Sequence, residues 1–474
     1  MNRLACLLGA MTVALTGCAA VGPDYKLPAE AMVNDSRANG DFVDADSPAL
    51  DRSHAARADW WKLYNDPVLD DLVKQALQAN IALRAADANL RRAYTALDIA
   101  KDEGGFSSEA SASVSRTEIS AESLLHTEKL PVYNLAVGGV QAAYEFDLFG
   151  KIRRGAEAAS ADADVTKAAR DLVRITVAAR VTESYIGICE ASHDIEVARH
   201  TVAIQEGAAN VAQRMFGAGL GNKLDVTRAA TQVDLAKAAL PPLLKRREAS
   251  EYALAALLGH TPGDIPSHAK ACDRAPALDR PLPIGDGMAL LRRRPDIRAA
   301  ERRLAGATAR IGVAVADMYP TVTLGGNLGT NGLLDDYNKA PAHYWSIGPL
   351  ISWSIPDHSS KLRVQLARDG ADVALASFDE TVLQALKETQ TALSTYTHAL
   401  DREETLQRAF EEATTASRQA RELYSNGRTP YLSALDAERS RVQAEAALTE
   451  SQSVVSEARV GLFLALGGGW QAAP

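Results

Sequence analysis

At 474 residues the chain could fill two or three ordinary domains, yet only 5% of it is aromatic, which is sparse for a compact enzyme of this size. The formal net charge of −9, from 51 basic and 60 acidic side chains, comes with no basic cluster of the kind that grips nucleic acid. Alanine-rich helical text with charged outer faces dominates the rest.

The chain opens with one basic residue, Arg3, and an apolar run over residues 4–15 that is too short to span a bilayer as a helix. It ends in Leu15-Thr16-Gly17-Cys18, which resembles a bacterial lipoprotein signal, cut before Cys18 so that this cysteine is acylated. The alternative is an ordinary secretory signal with an incidental cysteine. Ala19 follows, where an Asp would have pointed to retention at the inner membrane. Stable anchoring takes more than one acyl chain, because a single chain binds only marginally. Residues 1–17 are thus a signal peptide. Residues 18–59 have no periodicity and read as an extended segment wrapped on the body.

The first repeat is expected over residues 60–259. Asp66 and Pro67 offer an N-cap and a first helical position. Leu69, Leu72, Val73, Ala76 and Leu77 form one stripe, and the helical text runs to about Glu103, before Gly104-Gly105. Within it Leu83, Ala86, Leu90, Ala93, Leu97 and Ala100 alternate steps of three and four, the seam of a helix packed as in a coiled coil. A β-like stretch follows over residues 107–116. A second, over 133–149, changes parity at Gly138-Gly139, which predicts a β-bulge. No proline then occurs from residue 132 to 240. A continuous helix over 151–216 would rise roughly 100 Å, longer than any single globular core. It ends in the glycine turn over 216–225, and Pro241-Pro242 predicts a kink or break in the returning helix. Residues 260–285, rich in Pro, Asp and charge, read as a linker.

The second repeat is expected over residues 286–467. Adding 214 to the first seam gives Ile297, Ala300, Leu304, Ala307, Ile311 and Ala314, each of matching size class. Pro320 stops that helix and period two takes over. A strand over 344–355 places Trp345, Ile347, Ile351, Trp353 and Ile355 on one face and serines and a glycine on the other, which suits a strand in a membrane barrel. A half-buried strand of a soluble sheet would look similar. A second long helix follows, without proline from 357 to 429, with Leu386, Leu393 and Leu400 at heptad spacing. An offset of 208 carries the first glycine turn onto the second, over 424–432, with Gly219 on Gly427 and Leu224 on Leu432. Repetition at this interval means a duplicated half-protein rather than a short-repeat solenoid. Residues 468–474 form a C-terminal tail.

Each half is helix, two strands, long helix, glycine turn and return helix. A sheet in lipid must close, and four strands are too few to close alone. The wall must therefore be shared among identical copies in a closed ring, and the long helices leaving it extend the ring into a tube.

The chain resembles the TolC-like outer membrane efflux proteins, of the OprM/NodT-like lipoprotein branch. The residues that carry the resemblance are Leu15 to Cys18, Gly22 to Tyr25, Trp61 with Asp66-Pro67, Phe149-Gly150-Lys151-Ile152-Arg153, and above all LLRRRPDIRAAERRLAGATARIGVAVADMYP over residues 290–320. The match covers essentially the mature chain. It implies a homotrimer with a twelve-stranded outer-membrane β-barrel, four strands per chain, continued by a long periplasmic α-helical barrel. It also implies the exit duct of a tripartite pump for drugs or other small molecules, with a periplasmic adaptor protein and an inner-membrane transporter, of the RND type. Glu103-Gly104-Gly105-Phe106 departs from the family's usual helix ending, and the first turn is richer in glycine than usual.

The resemblance places the two glycine turns at the periplasmic tip, where Gly219, Leu220, Gly427, Arg428 and Thr429 are candidate adaptor contacts. Simple turn chemistry is the alternative for the glycines. Leu432 and Asp436 lie four apart on one helix face. Matching positions in the family close the periplasmic aperture, Leu432 sealing and a ring of Asp436 weakening the seal by repulsion. Asp436 could instead serve only the start of the return helix. Arg292-Arg293-Arg294 reads as a polar approach to Pro295 rather than an anion site. No frame for catalysis, metal or cofactor is evident. Cys189 and Cys272 read as a buried thiol and an unpaired linker thiol, although an exported compartment permits a disulfide. Competing readings are a duct for heavy metals or dedicated secretion, and a periplasmic coiled-coil structural lipoprotein, which would not need two-faced strands.

Overall fold

The computed structural model describes residues 20–468, apart from residues 44, 45, 126 and 279. The lipidation expected at Cys18 and the tail beyond residue 468 lie outside the described residues. The lead-in holds a 3₁₀ turn, Met32–Asn34, and a short strand β1, Leu50–Asp51. It is pinned to the second long helix: the Met32 amide donates to Asp379 at 2.7 Å, and Gln390 accepts from the Val43 amide at 3.0 Å.

Asp66 caps helix α1, Pro67–Ala79, by accepting from the amides of Val68 and Leu69. The helical run then breaks at Asn80 instead of continuing to Glu103. The Asn80 side chain donates to the Leu257 carbonyl at 2.9 Å and accepts from the Leu83 amide at 3.1 Å, so it starts a new helix, α2, Ile81–Asp102. Strands β2, Phe106–Thr117, and β3, Tyr133–Phe146, follow. Helix α3, Lys151–Gly217, is 67 residues long. Its return is two helices, α4, Lys223–Ala238, and α5, Leu240–Leu257; the break expected at Pro241 falls two residues earlier, at Ala239. Pro241 and Pro242 sit in the first turn of α5, where a missing amide hydrogen costs little. The linker contains α6, Ser267–Lys270, and β4, Leu282–Pro283, which pairs in parallel with β1. Helices α7, Gly287–Arg293, and α8, Pro295–Ala316, strands β5, Thr321–Leu333, and β6, His343–Ser352, and helices α9, His358–Ser425, and α10, Tyr431–Ala465, complete the second half. Both seams turn inward: Leu83, Leu97, Ile297, Ala300, Leu304 and Ile311 are buried.

The chain divides into two compact units, each drawing on both repeats: residues 1–28, 90–166 and 300–378 in one, and 29–89, 167–299 and 379–474 in the other. The first carries an antiparallel sheet in the order β2-β3-β5-β6. Its register sorts the side chains. Val140 pairs with Leu328 and Leu328 with Trp345; Tyr144 pairs with Phe106 and Leu324; Ile347 lies opposite Gly326. That apolar face is open to its surroundings, with Trp345 78% and Ile347 72% exposed. The other face carries Ser107, Ser111 and Ser113 of β2, and Gln141 donating to Glu109 at 2.8 Å. The register passes Gly138 and Gly139 without a slip, so the expected bulge is absent. The parity change is a change of face: Leu135 and Val137 share the side of Gln141, and Val140 onward lies on the other. Gly139 lies directly opposite Gly329, and a Cβ on either would come within about 3 Å of the Tyr344 hydroxyl. Close packing under that ring, not an extra residue, accounts for the glycine.

The same unit holds residues 20–25. The Val21 amide donates to the Phe149 carbonyl at 3.0 Å, and buried Arg154 donates to the Val21 carbonyl at 3.2 Å and to Asp24 at 2.7 Å. Gly22 has φ +88°, and a Cβ there would stand 2.5 Å from Gly312 Cα. Gly22→Ala is expected to cost at least about 2 kcal/mol through left-handed strain and a backbone clash. Hydrogen exchange should show residues 20–28 losing protection while the sheet keeps its own; unchanged protection would refute the docking.

In the second unit the core gathers around Trp60, stacked on Phe463 at 4.5 Å between ring centroids, with Leu69, Leu72, Leu254 and Leu290 fully buried. The linker joins this core through Ala269, Leu282 and Ile284. It thereby brings Cys272 to Cys189, with Cα atoms 4.8 Å apart, and the two form a disulfide. The expectation of two separate thiols is corrected. A linker read as loose has no fixed neighbour, whereas this one is packed along α3.

Candidate functional site

The two glycine turns are built alike. The Leu220 amide donates to the Met215 carbonyl at 2.9 Å and the Arg428 amide to Leu423 at 2.9 Å, closing the two long helices in the same way. That closure needs a left-handed residue, and Gly219 at φ +73° and Gly427 at φ +68° supply it. So these glycines are turn residues first. The surface of the turns carries apolar groups nonetheless: Leu220 is 73% and Leu224 56% exposed, and Arg428 is exposed beside half-buried Thr429.

The turns are brought together by Tyr431, the first residue of α10. Its hydroxyl donates to the Ala208 carbonyl of α3 at 2.9 Å, and its ring lies 5.2 Å from that of Tyr424. Burial, with Tyr424 and Asp225 nearby, pushes the Tyr431 phenol above its ordinary value. One turn on, Ala434 and Leu435 are buried while Leu432 and Asp436 are exposed, one above the other. Sequence reasoning missed what holds that helix in place. Glu438, buried, accepts from Ser417 at 2.5 Å and Arg421 at 3.0 Å on α9, and from Arg441 on its own helix. Burial alone would raise the Glu438 carboxyl, but the hydrogen bonds from Arg441 and Ser417 outweigh it and hold the group below its ordinary value. The Glu438–Arg441–Glu445 spacing was visible in the sequence as helix-face pairs; the partners across on α9 were not.

The arginine triplet is structural. Arg294 donates to Asp296 at 3.0 Å, Glu388 at 2.8 Å and the Ala465 carbonyl at 2.9 Å, and Arg293 to the carbonyls of Leu466 and Ala56. They fasten the end of α10, and Arg292 alone is left exposed. Among the described residues no helix is long and apolar enough to cross a membrane, and no cluster of His, Cys, Asp or Glu could hold a metal ion.

Comparison with known proteins agrees with this geometry. The family described as Outer membrane efflux protein matches residues 72–260 and again 288–468, one stretch per repeat. Outer membrane protein OprJ of Pseudomonas aeruginosa is 30% identical, covering 99% of this chain and 97% of its own length. Nodulation protein T of Rhizobium leguminosarum bv. trifolii is 27% identical, covering 96% and 95%. The solved structure of the outer-membrane channel OprN superposes with a TM-score of 0.86 at 34% identity, covering 95% of this chain and 99% of that one. With its two-faced sheet, paired long helices and duplicated halves, this chain belongs to the outer membrane efflux protein family, as an outer-membrane channel component of a Gram-negative efflux system that extends into the periplasm.

Proposed function

We propose that three copies, each anchored through an acylated Cys18, close one barrel and form a passive exit duct without catalysis of its own. The observation that carries this is the four-stranded sheet with one exposed apolar face, one polar face, and β2 and β6 at its edges. Lipid offers an edge strand no hydrogen-bond partner, so β6 of one copy pairs with β2 of the next. Residues 60–259 and 286–467 act as two equivalent halves of each wall segment, joined by 260–285, which makes the three-fold ring quasi-six-fold.

The duct works with a periplasmic adaptor and an inner-membrane transporter of the RND type. The adaptor docks at the tip around Gly219, Leu220, Gly427, Arg428 and Thr429, where exposed leucines meet a cation. Leu432 closes the aperture and Asp436 loosens it, since three carboxylates about one axis repel. Recordings in planar bilayers test this. Leu432→Ala should raise the resting conductance several-fold, and Asp436→Asn should lower the open fraction. Currents like wild type in both variants would remove the gate assignment.

A further inference from the structure

The break at Ala239 leaves something behind. A cavity of about 460 Å³ opens in the second unit between α3, the α4–α5 junction and α10. Its walls are mainly apolar, from Val197, Ala198, Leu235, Ala236, Leu243 and Val442. Along its α3 wall three polar side chains are more than nine-tenths buried: Asp194 at 5%, Thr201 at 7% and Gln205 at 4% exposure. The Gln205 Oε1 atom is buried with no hydrogen-bond partner. An orphan acceptor in such a place calls for a donor.

The charge around Asp194 is unbalanced. Arg246 of α5 serves two carboxylates at once, Glu190 at 3.0 Å and Asp194 at 3.3 Å, and also donates to Ser453 of α10 at 2.7 Å. One guanidinium against two carboxylates leaves one negative charge over, and the other charged groups of the lining, Arg439 against Glu445 and Glu450, do not make it up. Burial pushes Asp194 up to about 6, with Arg246 pulling against it and Glu190 adding to it. The group therefore keeps most of its charge at neutral pH, at a cost that a second cation would relieve.

The second repeat has no counterpart. Shifted by 208 positions, Asp194 and Gln205 become Arg402 and Ala413, and the return helix α10 runs unbroken. The duplication has diverged at this one place in three respects together: the proline break, the buried acceptor and the surplus carboxylate.

We propose that this cavity is a binding site for a small amphipathic organic cation bearing an N–H donor, with Asp194 facing its charge at one end, Gln205 accepting from its donor about 16 Å further along α3, and the apolar walls along its body between them. The site is separate from the Leu432–Asp436 aperture and does not depend on the gate assignment. Its occupant would touch four helices at once, so binding would resist any sliding of α10 against α3, α4 and α5.

Ethidium, a flat monocation with two aromatic amines whose fluorescence rises in apolar surroundings, is the probe. Titrated into the full-length protein in a non-ionic detergent, it should show saturable binding with one site per chain. Ala198→Trp, which fills the cavity, should weaken binding at least tenfold. Gln205→Leu, which keeps the volume and removes the acceptor, should weaken it about fivefold, and it serves if the tryptophan variant does not assemble. Asp436→Asn should bind as wild type. Absence of saturable binding, unchanged affinity in both cavity variants, or loss of binding in Asp436→Asn would each overturn the proposal, the last by assigning the probe to the aperture ring.

Discussion

Replacing Cys272 with alanine should destabilise the protein by about 4.5 kcal/mol, the value expected when a cross-link closing a loop of 83 residues is removed from the unfolded chain. Cys272 is the position to change, because Cys189 is fully buried and a substitution there would add a packing defect. The loss should be concentrated where the linker lies. Exchange of residues 260–285 should accelerate by orders of magnitude, while β2, β3, β5 and β6 keep their protection. Treatment of the wild-type protein with a reductant strong enough to open a buried disulfide should reproduce the shift, and should do nothing further to the variant. Equal stability of variant and wild type in denaturant titration would show that the packing of Ala269, Leu282 and Ile284 suffices without the bond.

Arg294→Met should be nearly as damaging, at about 3–5 kcal/mol. The new side chain fits the space but leaves Asp296 and Glu388 without their shared cation, and the Ala465 carbonyl with the Thr389 hydroxyl as its remaining side-chain donor. Arg294→Lys should recover part of the loss, since one ammonium can satisfy one or two of the three partners but not the fork. Arg292→Met, on the exposed neighbour, should stay within about 0.5 kcal/mol. Thermal unfolding of the four proteins in one detergent gives the ranking. A large effect at Arg292 with a small one at Arg294 would reverse the structural reading and favour an anion site.

Much of this molecule could be read from its residues because its design is periodic. The seam Leu83 to Ala100 and its copy Ile297 to Ala314 repeat in register, and the prolines at 241 and 242 announce the broken return helix. Strand β6 declares its faces through Trp345, Ile347 and Ile351. What failed was local in sequence but decided across space. Asn80 breaks a helix that its own periodicity would continue, because its amide has a partner 177 positions away. Gly139 looked like the site of a bulge, yet the reason for it is the close approach of the β5 backbone, with a tyrosine from β6 above it. The cysteines pair because the linker buries Ala269, Leu282 and Ile284 in the core, which its composition concealed. For the aperture, Leu432 and Asp436 could be placed on one helix face from spacing alone. The Glu438 cluster that fixes that face needed α9 beside it.

The lead-in makes contact with the rest of the chain at Ala20, against Gly150, just where β3 gives way to α3. Cys18 stands two positions earlier, a reach of only about 7 Å. Fatty chains carried there would enter the leaflet beside the rim from which the helices depart. On the acylation proposed for Cys18, such a tether would add no length to the protein and would set the depth of a single copy, with this rim level with the headgroups, before three copies close the barrel.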